Sequence, residues 1–257
     1  MRRAGIVIMT FFAASLLLAG SPARTDPQWK DLLQKANHAY KEGDFEQAVR
    51  DYLRLVRSDH ENGHLYYNLG NACFRLGQPG EAILNYERAR ILIPRDADLN
   101  YNLGYVRDRT LDVIPEKEGL TSMTFFWLDS LSLHELVLGF AMLNVLFWMV
   151  LFLRLFHLTE WTYYLALLAL IFWFVTGASL GLKWHRISTD DRAVILEKEV
   201  RVLAGPDSRD TLLFKLHEGA IVHYERSEEG WSLIGLPDKK RGWVESGALE
   251  RVSGDYL

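Results

Sequence analysis

Hydrophobic and polar positions divide the chain into segments with different periodicities. After Arg2 and Arg3, residues Ala4 to Ala23 carry no charge, and their apolar part ends near Ala19. From about Trp29 onward apolar positions recur at helical spacing, interrupted by turn signals such as Gly77-Gln78-Pro79-Gly80 and by Pro94. That pattern predicts paired helices. Two uncharged stretches follow, Leu136 to Leu153 and Tyr163 to Leu182. At ~1.5 Å per residue each nearly matches or matches the ~30 Å hydrocarbon core of a bilayer, which predicts two transmembrane helices. Beyond His185 the pattern becomes short alternating runs: Ala193 to Leu196, Val200 to Leu203, Thr211 to Leu216, Ala220 to Glu225, Trp231 to Gly235 and Arg241 to Val244. Five or six short strands forming a small barrel are expected there.

The start of the chain has the order of a secretion signal: a positive end, an apolar stretch, and small residues at Ser21-Pro22-Ala23. Cleavage after Ala23 is the natural expectation, with an uncleaved anchor helix as the alternative. The segments are then 1–23 signal peptide, 24–118 helical domain, 119–135 linker, 136–153 first span, 154–162 cytoplasmic loop, 163–182 second span and 183–257 β-domain. Trp127, Trp161, Tyr163, Tyr164 and Trp184 flank the spans, as amphipathic rings at the headgroup layer do. An even number of spans puts the two soluble domains on one side. The single loop cation, Arg154, against Lys183, Arg186 and Arg192 after the second span opposes an external placement. The first hydrophobic segment usually dominates orientation, so both domains are expected outside the cytoplasm, anchored in the inner membrane. Asn144 and the Gly177-x-x-x-Gly181 motif read as packing within the pair of spans.

Charge narrows the function classes. The 257 residues carry a formal net charge of -4 with acids and bases interspersed, so nucleic acid is not an expected partner. Cys73 is the single cysteine and falls on an inward helix face, which makes it a packed thiol without an internal disulfide partner. His60 and His64 straddle a turn with no third metal ligand near, and His134-Glu135 lacks the second histidine of a zinc-protease motif. No catalytic constellation is present, and no cofactor or metal is implied.

The helical segment repeats with a period of 34. Gly43 and Gly77, Ala48 and Ala82, and Tyr52 and Tyr86 are each 34 apart, and Tyr101-Asn102-Leu103-Gly104 repeats Tyr67-Asn68-Leu69-Gly70. The stretch YYNLGNACFRLGQPGEAILNYERARILIP, from Tyr66 to Pro94, resembles the tetratricopeptide repeat family, with Gly70, Ala82, Tyr86, Ala89 and Pro94 at its signature positions. The resemblance implies helix hairpins from about Trp29 to His60 and from Tyr66 to Pro94, followed by a lone third-repeat helix from Ala97 to about Asp112 that caps the stack. It also implies a concave groove lined by Asn37, Tyr40, Lys41, Tyr67, Asn71, Phe74, Tyr101 and Tyr105, suited to an extended peptide or partner helix. Some relatives clamp a terminal carboxylate with Lys and Arg. Leu33, Asp98 and Asn102 stand at those places, so that activity is not expected.

The last segment, from about Thr189 to Val252, resembles a bacterial SH3 domain. The resemblance rests on Val200 to Pro206, Leu216, Gly219, Glu229-Gly230-Trp231 and Gly242-Trp243-Val244 with Leu249. It implies a surface for peptides or cell-wall stems. Tyr224, Trp231 and Trp243 are its aromatic candidates, although alternation assigns Trp231 and Trp243 to the core first and leaves Tyr224 and the Pro237 to Arg241 loop as the better surface candidates.

Signal, repeats, membrane hairpin and SH3-like barrel in this order resemble the BatE family of the Bacteroides aerotolerance operon. The resemblance implies a non-enzymatic scaffold that works with a MoxR-type ATPase and von Willebrand A-domain membrane proteins. The competing expectation is an envelope sensor whose SH3-like domain binds peptidoglycan stem peptides.

Overall fold

The computed structural model describes residues 27–58, 62–112 and 126–253; the expected signal at 1–23, linker residues 119–125 and His60 lie outside the described residues. The chain forms two compact units. One contains Trp127–Arg186, and the other is assembled from both flanks, Thr25–Phe126 and Ile187–Leu257.

In the flanking unit, α1 (Pro27–Glu42), α2 (Phe45–Arg57), α3 (Gly63–Arg75), α4 (Pro79–Leu92) and α5 (Ala97–Arg107) are the repeat helices. Their limits follow from local chemistry. Asp44, Asn62 and Asp96 each accept a hydrogen bond from a first-turn backbone N–H of α2, α3 and α5, at 3.0, 2.9 and 2.9 Å. The α1–α2 and α3–α4 turns pass through Gly43 and Gly77, whose φ values of +82° and +74° suit glycine. Gly70 lies so close to α4 that a Cβ placed on it would stand 2.7 Å from the Tyr86 ring and 3.2 Å from the Ala82 carbonyl oxygen. Ala36, Ala48, Leu69, Ala82, Ile83, Tyr86 and Ala89 are buried between the helices. The third-repeat helix ends at Arg107, short of the expected Asp112.

The sheet half contains seven antiparallel strands where five or six were expected: β1 (Arg192–Ile195), β2 (Glu199–Leu203), β3 (Leu212–His217), β4 (Ile221–Glu228), β5 (Trp231–Gly235), β6 (Arg241–Glu245) and β7 (Leu249–Arg251). Their order in the sheet is β3-β2-β6-β5-β4-β1-β7. The additional β7 has only three residues, too few to display alternation, and is held by its register with β1. β4 and β5 join through Glu229 and Gly230, both with positive φ, as a two-residue hairpin turn requires. Ala193, Ile195, Val202, Val222, Ile234 and Val244 form the core beneath the sheet.

Helix and sheet halves share one interior. Val194 and Val252 are buried in the cluster that contains Tyr52, Leu69 and Tyr86, with Leu196 and Ile221 against its edge. Close approach is required here, since a Cβ on Gly80 would lie 2.8 Å from the Ile195 carbonyl oxygen and one on Gly219 2.9 Å from Ile83 Cδ1. Glu218 accepts a hydrogen bond from the Gly80 N–H at 3.0 Å, placing a carboxylate at the positive end of α4.

The other unit contains α6 (Phe126–Ser130), α7 (Leu133–Phe156) and α8 (Glu160–Ser188). α7 and α8 are each long and apolar enough to cross a membrane, and their bounds exceed the uncharged stretches at both ends. A helix does not stop where apolarity does: Ser132 and Glu135 form a capping box ahead of the first span. The two helices run antiparallel, with Trp173 against Phe140 and Phe147 at ring distances of 5.8 Å. Of the two glycines in the small-residue motif, Gly177 meets Phe140, whereas a Cβ on Gly181 would enter open space. Within this unit Trp127 Nε1 donates to Ser179 at 3.1 Å, Lys183 donates to the Leu128 carbonyl at 2.6 Å and Arg186 pairs with Asp129 at 2.9 Å.

Candidate functional site

The first helices of the repeats, α1, α3 and α5, line a concavity of about 280 Å³. Tyr40, Asn71, Phe74, Tyr101 and Tyr105 line it, as do Arg75, Asn102 and Val106, with Tyr86 as its floor. Tyr101 is 72% exposed and stacks on Tyr105 at 6.3 Å, while Phe74 meets Tyr105 edge to face at 5.9 Å. Aromatic rings beside two amides and a guanidinium offer an apolar contact surface edged with hydrogen-bonding groups. That combination suits a polypeptide better than a small charged metabolite.

Among the other groove candidates, Asn37 and Tyr67 are engaged by the fold itself, and Asn71 is in part. Tyr52 donates its hydroxyl proton to Asn37 Oδ1 at 2.7 Å, and Tyr86 does the same to Asn71 Oδ1 at 2.7 Å. These bonds repeat with the 34-residue period and satisfy a buried tyrosine in each hairpin, so Asn37 is a brace between helices and Asn71 is both brace and lining. Burial holds the Tyr52 hydroxyl at about 12, with Tyr40 contributing, so it stays a donor. Asn102 Nδ2 donates to Tyr67 Oη and to Asn71 Oδ1, each at 3.0 Å, which joins the third repeat to the second. Tyr67 therefore packs between repeats and does not line the concavity beside Tyr101. Its own pKa is raised, by burial first and then by Asp98 and Asp96. Lys41 is exposed on α1 next to Tyr40.

On the sheet half, Trp243 is only 7% exposed and Arg226 lies over its ring at 5.4 Å. Tyr224 is half-buried beneath Arg251 at 5.1 Å. Trp231 is partly open and lines a concavity of about 180 Å³ with Glu197, Glu199 and Glu245.

A feature that sequence reasoning missed joins the halves. Glu87 of α4 is fully buried, yet it reaches Arg90 at 2.7 Å, Arg107 of α5 at 2.5 Å and Arg192 of β1 at 2.7 Å. Beside it, Arg88 pairs with Glu250 at 2.7 Å and donates to the Val252 carbonyl at 3.2 Å. Apart from the i,i+3 pair with Arg90, nothing in the linear sequence signals these contacts, because 105 residues separate Glu87 from Arg192.

Cys73 is buried, and burial pushes its thiol up to about 12, with Glu81 adding to the rise. The thiolate is the reactive form, so the native chain should resist iodoacetamide at pH 8 and react only once unfolded. Mass spectrometry with and without guanidinium measures this; rapid native labelling would mean that α3 does not pack as described.

Residues 33–97 match the family model for the tetratricopeptide repeat. A span of 74 residues, 29% of this chain, is 28% identical to "Tetratricopeptide repeat protein 16" of Homo sapiens, and the Macaca fascicularis protein of that name matches to the same extent. The match spans about 8% of the length of those relatives. Repeats of this type are typically interaction modules without enzymatic activity.

Proposed function

We propose that this protein is a membrane-anchored, non-enzymatic scaffold that captures protein partners in the groove of its repeats. The exposed Tyr101–Tyr105 stack carries the reading, because it leaves aromatic area open on the concave side while the sheet half covers α4. In this reading α7 and α8 form a transmembrane hairpin. The contacts between α4 and β1 support placing both flanking segments on one side of the bilayer, since they pack on each other. The secretion-like start favours the periplasmic side of the inner membrane. The sheet half acts as an SH3-like barrel. By resemblance the partners are von Willebrand A-domain membrane proteins and a MoxR-type ATPase, in an envelope complex serving stress resistance or aerotolerance.

Replacing Tyr101 and Tyr105 with alanine in the full chain should reduce partner capture from solubilised membranes by about 30-fold, some 2 kcal/mol. The melting temperature should fall by only a few degrees, because Tyr101 is 72% exposed and the half-buried Tyr105 lies at the groove surface against Phe74. A variant that folds and still captures its partner removes the groove from the function. Recovery of A-domain proteins or the ATPase favours the complex. Muropeptides alone favour the sensor, a second reading that the partly open Trp231 supports.

Orientation has its own expected result. Alkaline phosphatase fused after Val252 should be active, and a fusion within residues 154–162 should be inactive. Activity from the loop fusion alone inverts the topology.

A further inference from the structure

The 34-residue period also places a cation at one position of each repeat: Lys41, Arg75 and Arg109. Arg75 ends α3 and bears the single formal charge among the residues lining the concavity. Arg109 follows α5 and lies beside Tyr105, which lines it. Cations are favoured at helix C-termini by the helix dipole, which accounts for the residue type at all three positions. It does not account for what they face. Within the same unit Arg50, Arg54, Arg88, Arg90, Arg107 and Arg192 each hold a carboxylate within 4.0 Å. Among the described residues Lys41, Arg75 and Arg109 hold none. The Arg75 guanidinium rests over the Phe45 ring at 4.6 Å, and that of Arg109 over Tyr105 at 3.4 Å while donating to the Tyr105 carbonyl.

Arg75 and Arg109 beside the aromatic lining, with Lys41 at the equivalent position of the first repeat, have a chemical complement. We propose that the groove takes an acidic partner segment, with an aromatic or aliphatic side chain set against Phe74, Tyr101 and Tyr105 and side-chain carboxylates on Lys41, Arg75 and Arg109. The inference rests on the groove reading above and adds the chemistry of the occupant. Rings hold the two guanidiniums over exposed apolar surface, so an incoming carboxylate gains charge-assisted hydrogen bonds without breaking an existing ion pair. These positions differ from those of the terminal-carboxylate clamp, where Leu33, Asp98 and Asn102 stand, so side-chain carboxylates suffice and no free C-terminus is needed.

The test uses the full chain in detergent and two fluorescent peptides of about 12 residues, acetylated and amidated at their ends. One alternates Asp and Glu with Phe and Leu; the other has Asn and Gln in place of every acid. By anisotropy, the acidic peptide should bind about tenfold more tightly, and its advantage should shrink as salt rises toward ~0.5 M. In K41Q/R75Q/R109Q, whose melting temperature should be unchanged because all three side chains are exposed, the two peptides should bind equally. Equal binding to the unaltered chain, abolished by Tyr101→Ala with Tyr105→Ala, would overturn the acid preference and leave the groove reading standing. An acidic advantage that survives the triple substitution would overturn the assignment to these cations. If neither peptide binds at ~1 mM the inference falls, while partner capture with the tyrosine variant still decides the groove.

Discussion

Glu87→Ala should destabilise the unit formed by the two flanking segments by about 3 kcal/mol, at the low end for a broken buried ion pair because the three arginines keep some access to water. The carboxylate is buried completely and holds one guanidinium each from Arg90, Arg107 and Arg192, so its removal takes a shared counter-charge from three cations, of which Arg192 keeps Asp190. Arg192→Ala should cost less, since Glu87 retains two partners. The comparison separates a shared hub from three independent pairs. Hydrogen exchange on the full chain should show faster exchange in α4 and β1 together for Glu87→Ala. Unaltered protection in both elements would mean that the Glu87 hub does not hold the halves together.

Gly70→Leu should be at least as damaging, about 3 kcal/mol and a fall in melting temperature on the order of 10 °C. Even a methyl group there would press on the Tyr86 ring at 2.7 Å, and the neighbouring Ala82 carbonyl blocks retreat. Tyr86 cannot swing aside without breaking its bond to Asn71. Ala82→Glu tests the same contact with a buried charge. Far-ultraviolet circular dichroism of the full chain is the measurement, because cutting the repeats from the sheet would expose the face of α4 that Val194 and Val252 cover. Melting unaltered by either substitution would mean that the repeat register is wrong.

The legible parts of this molecule are those in which neighbours in space are neighbours in sequence. Hairpins of repeat helices are local, so glycines at positive φ and alanines at close contacts recur visibly at Gly43 and Gly77, and at Ala48 and Ala82. The same period concealed a division of labour. Asn37, Asn71 and Tyr67 all stood at groove positions by family analogy, yet a hydroxyl from the second helix occupies Asn37 and an amide from the next repeat occupies Tyr67, while Asn71 takes both roles. Arg75 and Asn102 line the concavity without having been chosen for it, although Arg75 could have been found by extending the repeat from Lys41. Strand β7 was too short to alternate. The Glu87 hub was unreadable because its partners come from three elements, and charge along a helix reads only as a solvated face until the covering strand is known.

The route of the chain between the halves has a consequence for biosynthesis. Arg88 donates to the carbonyl of Val252, 164 residues further on, and α7 and α8 lie between them. When the repeat helices leave the ribosome, the strands that cover α4 have not been made. At a synthesis rate of roughly 5–20 residues per second, the uncovered face of α4 waits on the order of ten seconds or more. If α7 and α8 cross a bilayer as proposed, a delay in their insertion would prolong the time for which the apolar flank of the repeats stays open to chaperones and proteases. In that reading, maturation of the repeats is coupled in time to membrane integration.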